Sequence, residues 1–183
     1  TLLIDTENGS GDLYASLGDY DVLTLSAPFS PERYIEAIKE GEKAGYDTIV
    51  IDSLSHAWAG EGGLLERQQQ ETEKDKYKNS YAAWRNVTPL HNKLVQTMLQ
   101  SSCHIIATMR SKVDYSQVEE NGKKKIVKLG MAPIQREGMD YEFTVMFEID
   151  TNHMTQATKD RTGLFDGQFF KIDKQTGERL KDW

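Results

Sequence analysis

Residues 1–10 read TLLIDTENGS and place an apolar run directly before two acidic residues, Asp5 and Glu7. Residues 47–58, DTIVIDSLSHAW, repeat this arrangement, with an apolar run that ends at Asp52 and is followed by hydroxyl side chains. Carboxylates that directly follow apolar strands are typical of the carboxyl edge of a parallel sheet, where open α/β proteins bind ligands. The two stretches therefore predict an α/β fold with its ligand site at that edge.

Strands alternate with helices along the first two thirds of the chain. Residues 30–45 carry a helical pattern, with Ser30 as N-cap, Pro31 at the first helical position and Gly45 after the last turn. This alternation indicates βαβ units and a mainly parallel sheet with helices on both faces. The runs that predict strands are TLLID, DVLTLS, DTIVID, CHIIATM and FTVMFEID.

A second amphipathic helix is predicted over Leu90–Leu99, with Pro89 in its first turn. Alternating residues around Asn121-Gly122 predict a β-hairpin. The late runs FTVMFEID, HMTQATKD and GQFFKID have no long crossovers between them, so we expect antiparallel pairing there. We expect residues 1–183 to form one domain, with residues 111–130 as a protruding basic hairpin.

Composition limits the classes of partner. The net charge is −7, so contact with nucleic acid requires a local basic element. No apolar run reaches membrane-spanning length, and the only cysteine, Cys103, is expected to be a buried thiol of a cytosolic protein. Four scattered histidines lack the spacing of a transition-metal site. We expect the hairpin lysines to contact DNA phosphates; they are Lys123, Lys124, Lys125 and Lys128. The alternative is a charged, exposed hairpin that protects the edge of a sheet.

The two strand-end carboxylates suit nucleotide chemistry. In a nucleotide-binding sheet, Asp52 would hold the water shell of Mg²⁺ and Glu7 would activate the attacking water. The alternative is that both cap the following helix at the rim of the sheet. His56 is expected to be a partly buried polar residue of the adjoining helix, the alternative being that it faces the nucleotide. Trp58, Trp84 and Tyr81 are expected to pack in the core and not to stack on bases.

The order of these segments resembles the RecA-like ATPases. Residues 2–28, followed by a helix and YDTIVIDSLSHAW, are similar to an Asp-x-Glu strand that precedes the Walker B strand. The likeness implies a P-loop ATPase core that binds ATP and Mg²⁺, with Asp52 and Ser53 at the cofactor. In CHIIATMRSK it implies a sensor of the γ-phosphate at Thr108 and Arg110, followed by a loop that contacts single-stranded DNA.

Residues 156–167, which include ATKDRTGLFDG, strengthen this resemblance. RecA-like recombinases and replicative helicases carry Lys-x-Lys or Lys-x-Arg on a late hairpin that reaches the γ-phosphate of a neighbouring subunit. Lys159 and Arg161 match that pair, which implies a homo-oligomeric ring or filament. On its own, this pair is more often part of a solvated hairpin. Within the superfamily, MAPIQREGMDYEFTVMFEID and KDRTGLFDG are similar to phage-type ATPases described as nucleotide-binding proteins.

One element of the pattern is absent from the sequence. No Gly-x-x-x-x-Gly-Lys-Ser/Thr motif occurs. In RecA-like proteins the P-loop strand lies upstream of the Asp-x-Glu strand, so we expect an N-terminal truncation of about thirty residues, the length of a strand-loop-helix unit. The P-loop strand would then be missing beside the strand at Ile105. The alternative is a relative that lacks the loop.

The leading hypothesis is a cytoplasmic ATPase of a bacterium or phage-infected host that acts on single-stranded DNA in recombination, annealing or replication. Its catalytic residues are expected to be Glu7, Lys159 and Arg161. The second hypothesis is a non-hydrolysing nucleic-acid-binding or scaffold module with a degenerate ATPase fold. The third and weakest hypothesis is a metabolic P-loop kinase, because the late β-region with its Lys-x-Arg pair argues against a kinase.

Overall fold

The computed structural model describes residues 1–113 and 131–183 in full and residues 114–120 and 123–130 as backbone alone. Residues 121–122 lie outside the description. The chain forms two compact units, residues 1–136 and 137–183. In the described residues, no helix combines the length and apolar character needed to cross a bilayer.

A four-stranded parallel sheet forms the centre of the first unit, in the order β2-β1-β3-β4. Its registers pair Ile4 with both Leu23 and Ile51, so that β1 lies between β2 and β3. The predicted parallel α/β sheet is confirmed. In the described chain β2 and β4 lie at the two edges of this sheet. The strands are β1 (Leu2–Asp5), β2 (Asp21–Thr24), β3 (Thr48–Asp52) and β4 (His104–Ala107).

Helices flank the sheet. The first, α1, begins at Pro31 and ends at Lys43, and Gly45 adopts a φ of 82° just beyond it, as the Ser-Pro start and the glycine stop predict. It packs closely on β1 and β3, because a Cβ on Gly41 would lie 2.9 Å from side-chain atoms of both Leu2 and Ile49. Among the described residues of this unit, a 3-10 helix spans Ser10–Leu17, and the α-helices are α1 (Pro31–Lys43), α2 (Ser55–Ala59), α3 (Leu64–Lys74) and α4 (Ser80–Leu99).

The predicted start of α4 is wrong. The helix begins at Ser80, where the Asn79 side chain accepts hydrogen bonds from the N–H groups of Tyr81 and Ala82. Pro89 therefore lies inside the helix and not in its first turn. Burial explains the extra turns, since Ala83 and other apolar side chains upstream of Pro89 are buried. Their packing offsets the hydrogen bond that a proline cannot donate.

The predicted hairpin strands pair antiparallel, β5 over Ser111–Glu120 and β6 over Lys123–Pro133. The second unit contains β7 (Val145–Ile149), β8 (Thr155–Asp160) and β9 (Phe169–Phe170), which also pair antiparallel as predicted. A further helix, α5 (Lys174–Asp182), was not predicted. It starts at a capping box in which Asp173 and Thr176 satisfy each other's backbone N–H groups.

Phe165 is the centre of an aromatic cluster in the second unit. Its side chain is fully buried, and its ring lies 5.0 Å from that of Phe147 and 5.4 Å from that of Phe170. The Arg179 guanidinium lies 4.5 Å from the centre of the same ring. This combination of burial and aromatic contact makes Phe165 the principal anchor of the unit.

We expect Phe165→Ala to lower the free energy of unfolding of the second unit by about 3–5 kcal/mol, because it leaves a cavity in a packed cluster. Phe169→Ala is the matched control, since Phe169 is 67% exposed and its loss should cost about 0.5 kcal/mol or less. Urea unfolding followed by circular dichroism measures both. Equal shifts in the two variants would contradict the assignment of Phe165 as the anchor.

Candidate functional site

The carboxyl ends of β1, β3 and β4 meet at one edge of the parallel sheet. Asp5 and Asp52 are register partners, and the Thr6 N–H donates to the Asp52 carbonyl at 2.7 Å. The Thr108 N–H donates to the Ile51 carbonyl at 3.0 Å, which brings the end of β4 to the same edge. The side chains of Glu7, Asp52 and Thr108 therefore follow neighbouring strands, as the sequence predicts.

The segment after β3 is held by side chains from three other parts of the unit. The Thr6 hydroxyl accepts the Ser53 N–H at 2.7 Å, and the Tyr34 hydroxyl donates to the Ser53 carbonyl at 3.2 Å. Burial raises the pKa of Tyr34, so the phenol stays protonated and can donate. The Gln135 amide donates to the Leu54 carbonyl at 3.1 Å. These bonds hold Asp52 and its successors in one conformation.

Asp52 and Ser53 offer oxygen ligands at this edge. The Thr108 hydroxyl donates to Asp52 Oδ1 at 2.6 Å, which orients the carboxylate. Ser53 is 2% exposed, and its Oγ has no hydrogen-bond partner among the described residues. In the same described part of the chain, no three His, Cys, Asp or Glu side chains gather as a metal cage. The donor set fits a hard cation that takes most of its ligands from water and phosphate.

Glu7 is paired with Arg110. Arg110 Nε donates to Glu7 Oε1 at 3.1 Å, and Arg110 Nη2 contacts Oε2, so the guanidinium binds both carboxylate oxygens. The Glu7 side chain is 21% exposed and that of Arg110 53%. Two residues predicted to take part in one reaction therefore meet directly, in a bidentate geometry that arginine favours. The sequence did not predict this contact.

Arg110 also lies at the base of the hairpin. Its N–H donates to the Ser55 hydroxyl at 2.9 Å, and its carbonyl accepts the Ile134 N–H at 2.7 Å. Ile134 follows β6 directly. The backbone of Arg110 is thus tied both to α2 and to the end of the hairpin, while its side chain reaches Glu7.

His56 lies in α2 and contacts residues near the end of β1. Its Nδ1 lies 2.8 Å from the Thr6 hydroxyl and 3.8 Å from Glu7 Oε1, and its ring stacks on Phe29 at 4.7 Å. It is partly buried, as predicted. That it faces a nucleotide, the alternative given by its place four residues after Asp52, stays a prediction.

The aromatic residues weighed for base stacking lie in different environments. Trp58 and Trp84 are partly buried and stack on each other, with ring centres 5.5 Å apart. Packing, as predicted, explains both. Tyr81 is 87% exposed, so the prediction that it packs in the core is wrong. Ala83, two positions further along α4, is buried, so Tyr81 lies on the opposite, solvent-exposed side of that helix.

Lys159 and Arg161 lie together in the second unit. Both side chains donate to the Tyr141 carbonyl, Arg161 Nη2 at 3.4 Å, and Lys159 Nζ also lies 3.4 Å from the Asp140 carbonyl. Burial, and then the Arg161 charge, lower the pKa of Lys159. Asp160 between them accepts the N–H groups of three residues in the turn that follows: Thr162, Gly163 and Phe165. The turn therefore holds two cations side by side.

The predicted DNA-binding lysines lie on β6, of which only the backbone is described. The side chains of Lys123, Lys124, Lys125 and Lys128 lie outside the described residues, as does the Asn121-Gly122 turn. Their contact with DNA stays a prediction.

Comparison with known families gives one match. A family model described as an AAA domain matches residues 1–179, nearly the whole chain. The chain belongs to the AAA domain family. Separate searches of curated proteins and of solved structures returned no match.

As an AAA domain, the chain is of the nucleotide-binding, ATPase type. The recognition of an ATPase family from the order of strands and carboxylates is confirmed at this level. The parallel sheet and its flanking helices are those expected of a P-loop NTPase-like core.

Proposed function

We propose that this AAA domain is the ATP-hydrolysing core of a RecA-like protein of phage or prophage type that acts on single-stranded DNA. The observation that carries the proposal is the placement of Glu7 beside the Asp52 segment, at the carboxyl edge of the parallel sheet. The family match supports the nucleotide-binding part. The likeness of residues 131–150 and 159–167 to phage-type ATPases supports the cellular role in recombination, annealing or replication, in the cytoplasm.

Asp52 would hold, through water, the Mg²⁺ that accompanies ATP, and Ser53 would lie beside it at the cofactor. Mg²⁺ is usually bound through one or two carboxylates, several waters and the phosphates of the substrate. The ion supplies neutralisation of phosphate charge when bound. The role of the protein's own residues is to orient the Asp52 carboxylate: the Thr108 hydroxyl lies 2.6 Å from Asp52 Oδ1.

Glu7 would act as the general base that takes a proton from the attacking water. It needs a free carboxylate oxygen for this, whereas Arg110 binds both. The terminal phosphate of ATP is a stronger bidentate acceptor for a guanidinium than a carboxylate of single charge. We therefore assign to Arg110 an exchange from Glu7 to phosphate, with Thr108 as its companion sensor, so that the arrival of ATP frees the base.

Lys159 and Arg161 would act on the nucleotide of a neighbouring subunit in a ring or filament. Cations supplied in trans neutralise charge on the transferring phosphoryl group and make hydrolysis depend on assembly. Their common contact with the Tyr141 carbonyl supports a pair that is already arranged to bind one anion. Lys159 would leave this carbonyl when it meets phosphate.

The hairpin lysines would bind the phosphates of single-stranded DNA without reading its bases. We expect replacement of Lys123, Lys124, Lys125 and Lys128 by glutamine to weaken binding to an oligothymidylate. The slope of log affinity against log salt should fall by about 0.7 for each DNA phosphate that a lysine no longer neutralises. Lys39→Gln/Lys93→Gln, which changes exposed lysines on α1 and α4, is the control. Fluorescence anisotropy at several salt concentrations measures both, and an unchanged slope in the hairpin variant would contradict the role.

ATP hydrolysis by the complete natural protein tests the proposal as a whole. We expect Mg²⁺-dependent hydrolysis that single-stranded DNA accelerates. Binding of DNA with neither binding nor hydrolysis of ATP would overturn it and favour the non-hydrolysing nucleic-acid-binding module. A specific observation favours that second candidate, since Arg110 occupies both oxygens of the proposed base.

A further inference from the structure

Asp5 is a buried carboxylate to which the proposed mechanism gives no role. It is 0% exposed, and within the described chain no basic side chain pairs with it. Its oxygens accept two backbone N–H groups instead, Oδ1 that of Glu7 at 2.6 Å and Oδ2 that of Gly11 at 3.0 Å. A buried carboxylate is costly unless its hydrogen bonds are satisfied, so these two bonds are obligatory for the fold around it.

The two N–H groups stand at the two ends of the loop that carries Glu7. Between them Asn8 and Gly9 take positive φ values of 58° and 86°, and the Ser10 N–H approaches the Glu7 carbonyl at 3.3 Å. The chain thus reverses direction directly after Glu7. The Asp5 side chain joins the two ends of this loop, because one of its oxygens accepts the Glu7 N–H and the other accepts the Gly11 N–H.

Gly11 shows how closely the loop approaches. A Cβ added to it would lie 2.5 Å from Leu3 Cδ2 and 3.4 Å from Asp5 Oδ2. A contact of 2.5 Å is shorter than carbon atoms tolerate, so a larger residue requires the end of the Leu3 side chain or the loop itself to move. The loop therefore packs against both Leu3 and Asp5 at this place.

We infer that Asp5 is a positioning residue for Glu7: its carboxylate clamps the loop at Glu7 and Gly11 and so determines where the Glu7 side chain lies. This inference rests on the proposed function of Glu7 as base. A carboxylate suits the clamp because both of its oxygens accept, whereas an asparagine would turn an NH₂ group towards one of the two N–H donors. Asp5 itself contacts only the protein and is not a catalytic residue.

Two variants test the clamp from opposite sides. Asp5→Asn removes one acceptor, and Gly11→Ala places a methyl group against Leu3 and Asp5 at the other end of the loop. Gly18→Ala is the matched control from the same segment, because Gly18 has extended backbone and nothing within 4 Å of an added Cβ. The experiment uses the complete natural protein and measures kcat for ATP, the affinity for ATP, and the rate at which a water-soluble carbodiimide labels Glu7, read by mass spectrometry.

We expect Asp5→Asn and Gly11→Ala to lower kcat by about 10²-fold, the effect of a small misplacement of a reacting group. The affinity for ATP should stay unchanged, and Glu7 should be labelled at a different rate from wild type. Gly18→Ala should match wild type in all three. Wild-type kcat in both variants, an affinity that falls with kcat, or unchanged labelling of Glu7 would each overturn the inference.

The labelling separates this inference from the proposed function. If the natural protein hydrolyses no ATP, the proposed function fails, and the labelling of Glu7 still decides whether Asp5 positions it. If Asp5→Asn does not fold, Gly11→Ala carries the test, because it leaves the Asp5 carboxylate in place.

Discussion

Replacement of Glu7 by glutamine is expected to lower the rate of ATP hydrolysis by about 10²–10⁴-fold, the usual contribution of a general base. Glutamine has nearly the same shape but takes no proton from water. The affinity for ATP should stay at or rise above the wild-type value, because Glu7 no longer competes with phosphate for Arg110. The affinity for single-stranded DNA should not change, because Glu7 is not proposed to bind DNA. Steady-state hydrolysis and equilibrium binding on the complete natural protein measure the two quantities.

Glu36→Gln is the control for this prediction. Glu36 is an exposed glutamate on α1, and its replacement by glutamine removes one negative charge, as Glu7→Gln does. An effect of net charge alone would therefore appear in both variants. Retained hydrolysis in Glu7→Gln would remove Glu7 from the role of base. A loss of ATP affinity that parallels the loss of rate would assign Glu7 to binding instead.

Replacement of Lys159 by alanine is expected to lower hydrolysis by about 10³–10⁵-fold, the range for a cation supplied to a transferring phosphoryl group. Activity should return in part when Lys159→Ala protein is mixed with Glu7→Gln protein. Some mixed interfaces then combine the intact Glu7 of one subunit with the intact Lys159 of its neighbour. Hydrolysis as a function of the mixing ratio measures this rescue.

Lys171→Ala is the matched control, because Lys171 is an exposed lysine of the same unit. It should behave as wild type alone, and addition of Glu7→Gln protein should not raise the hydrolysis rate per Lys171→Ala subunit. Failure of Lys159→Ala to be rescued at any ratio would contradict action in trans. A large loss of stability to urea in Lys159→Ala would instead make its bond to the Tyr141 carbonyl a structural one.

Much of the fold is local in origin and was therefore predictable. The apolar runs that become β1, β3 and β4 are bounded by turn residues, and α1 carries its own start and stop signals at Ser30, Pro31 and Gly45. The start of α4 at Ser80 was not predictable in this way, because burial of Ala83 against the rest of the unit decides it. Helix α5 was missed because a glycine and many polar residues weaken its pattern.

The candidate site was likewise predictable only in part. That Glu7, Asp52 and Thr108 follow neighbouring strand ends was readable from the sequence, because parallel strands align their carboxyl ends at one edge of a sheet. The pairing of Glu7 with Arg110, more than a hundred residues apart in the chain, was not readable. It depends on the register of three strands and on the path of the chain after β4.

The sequence by itself thus determined which chemical groups lie at the edge of the sheet, since alternation, strand length and turn residues act over a few positions. Only the tertiary structure decided which of these groups touch. It alone set Asp5 against the loop that carries Glu7, and Lys159 beside Arg161 at one carbonyl. The physical reason is that a hydrogen bond requires a donor–acceptor distance of about 3 Å. Whether two distant side chains come that close depends on the packing of the entire unit.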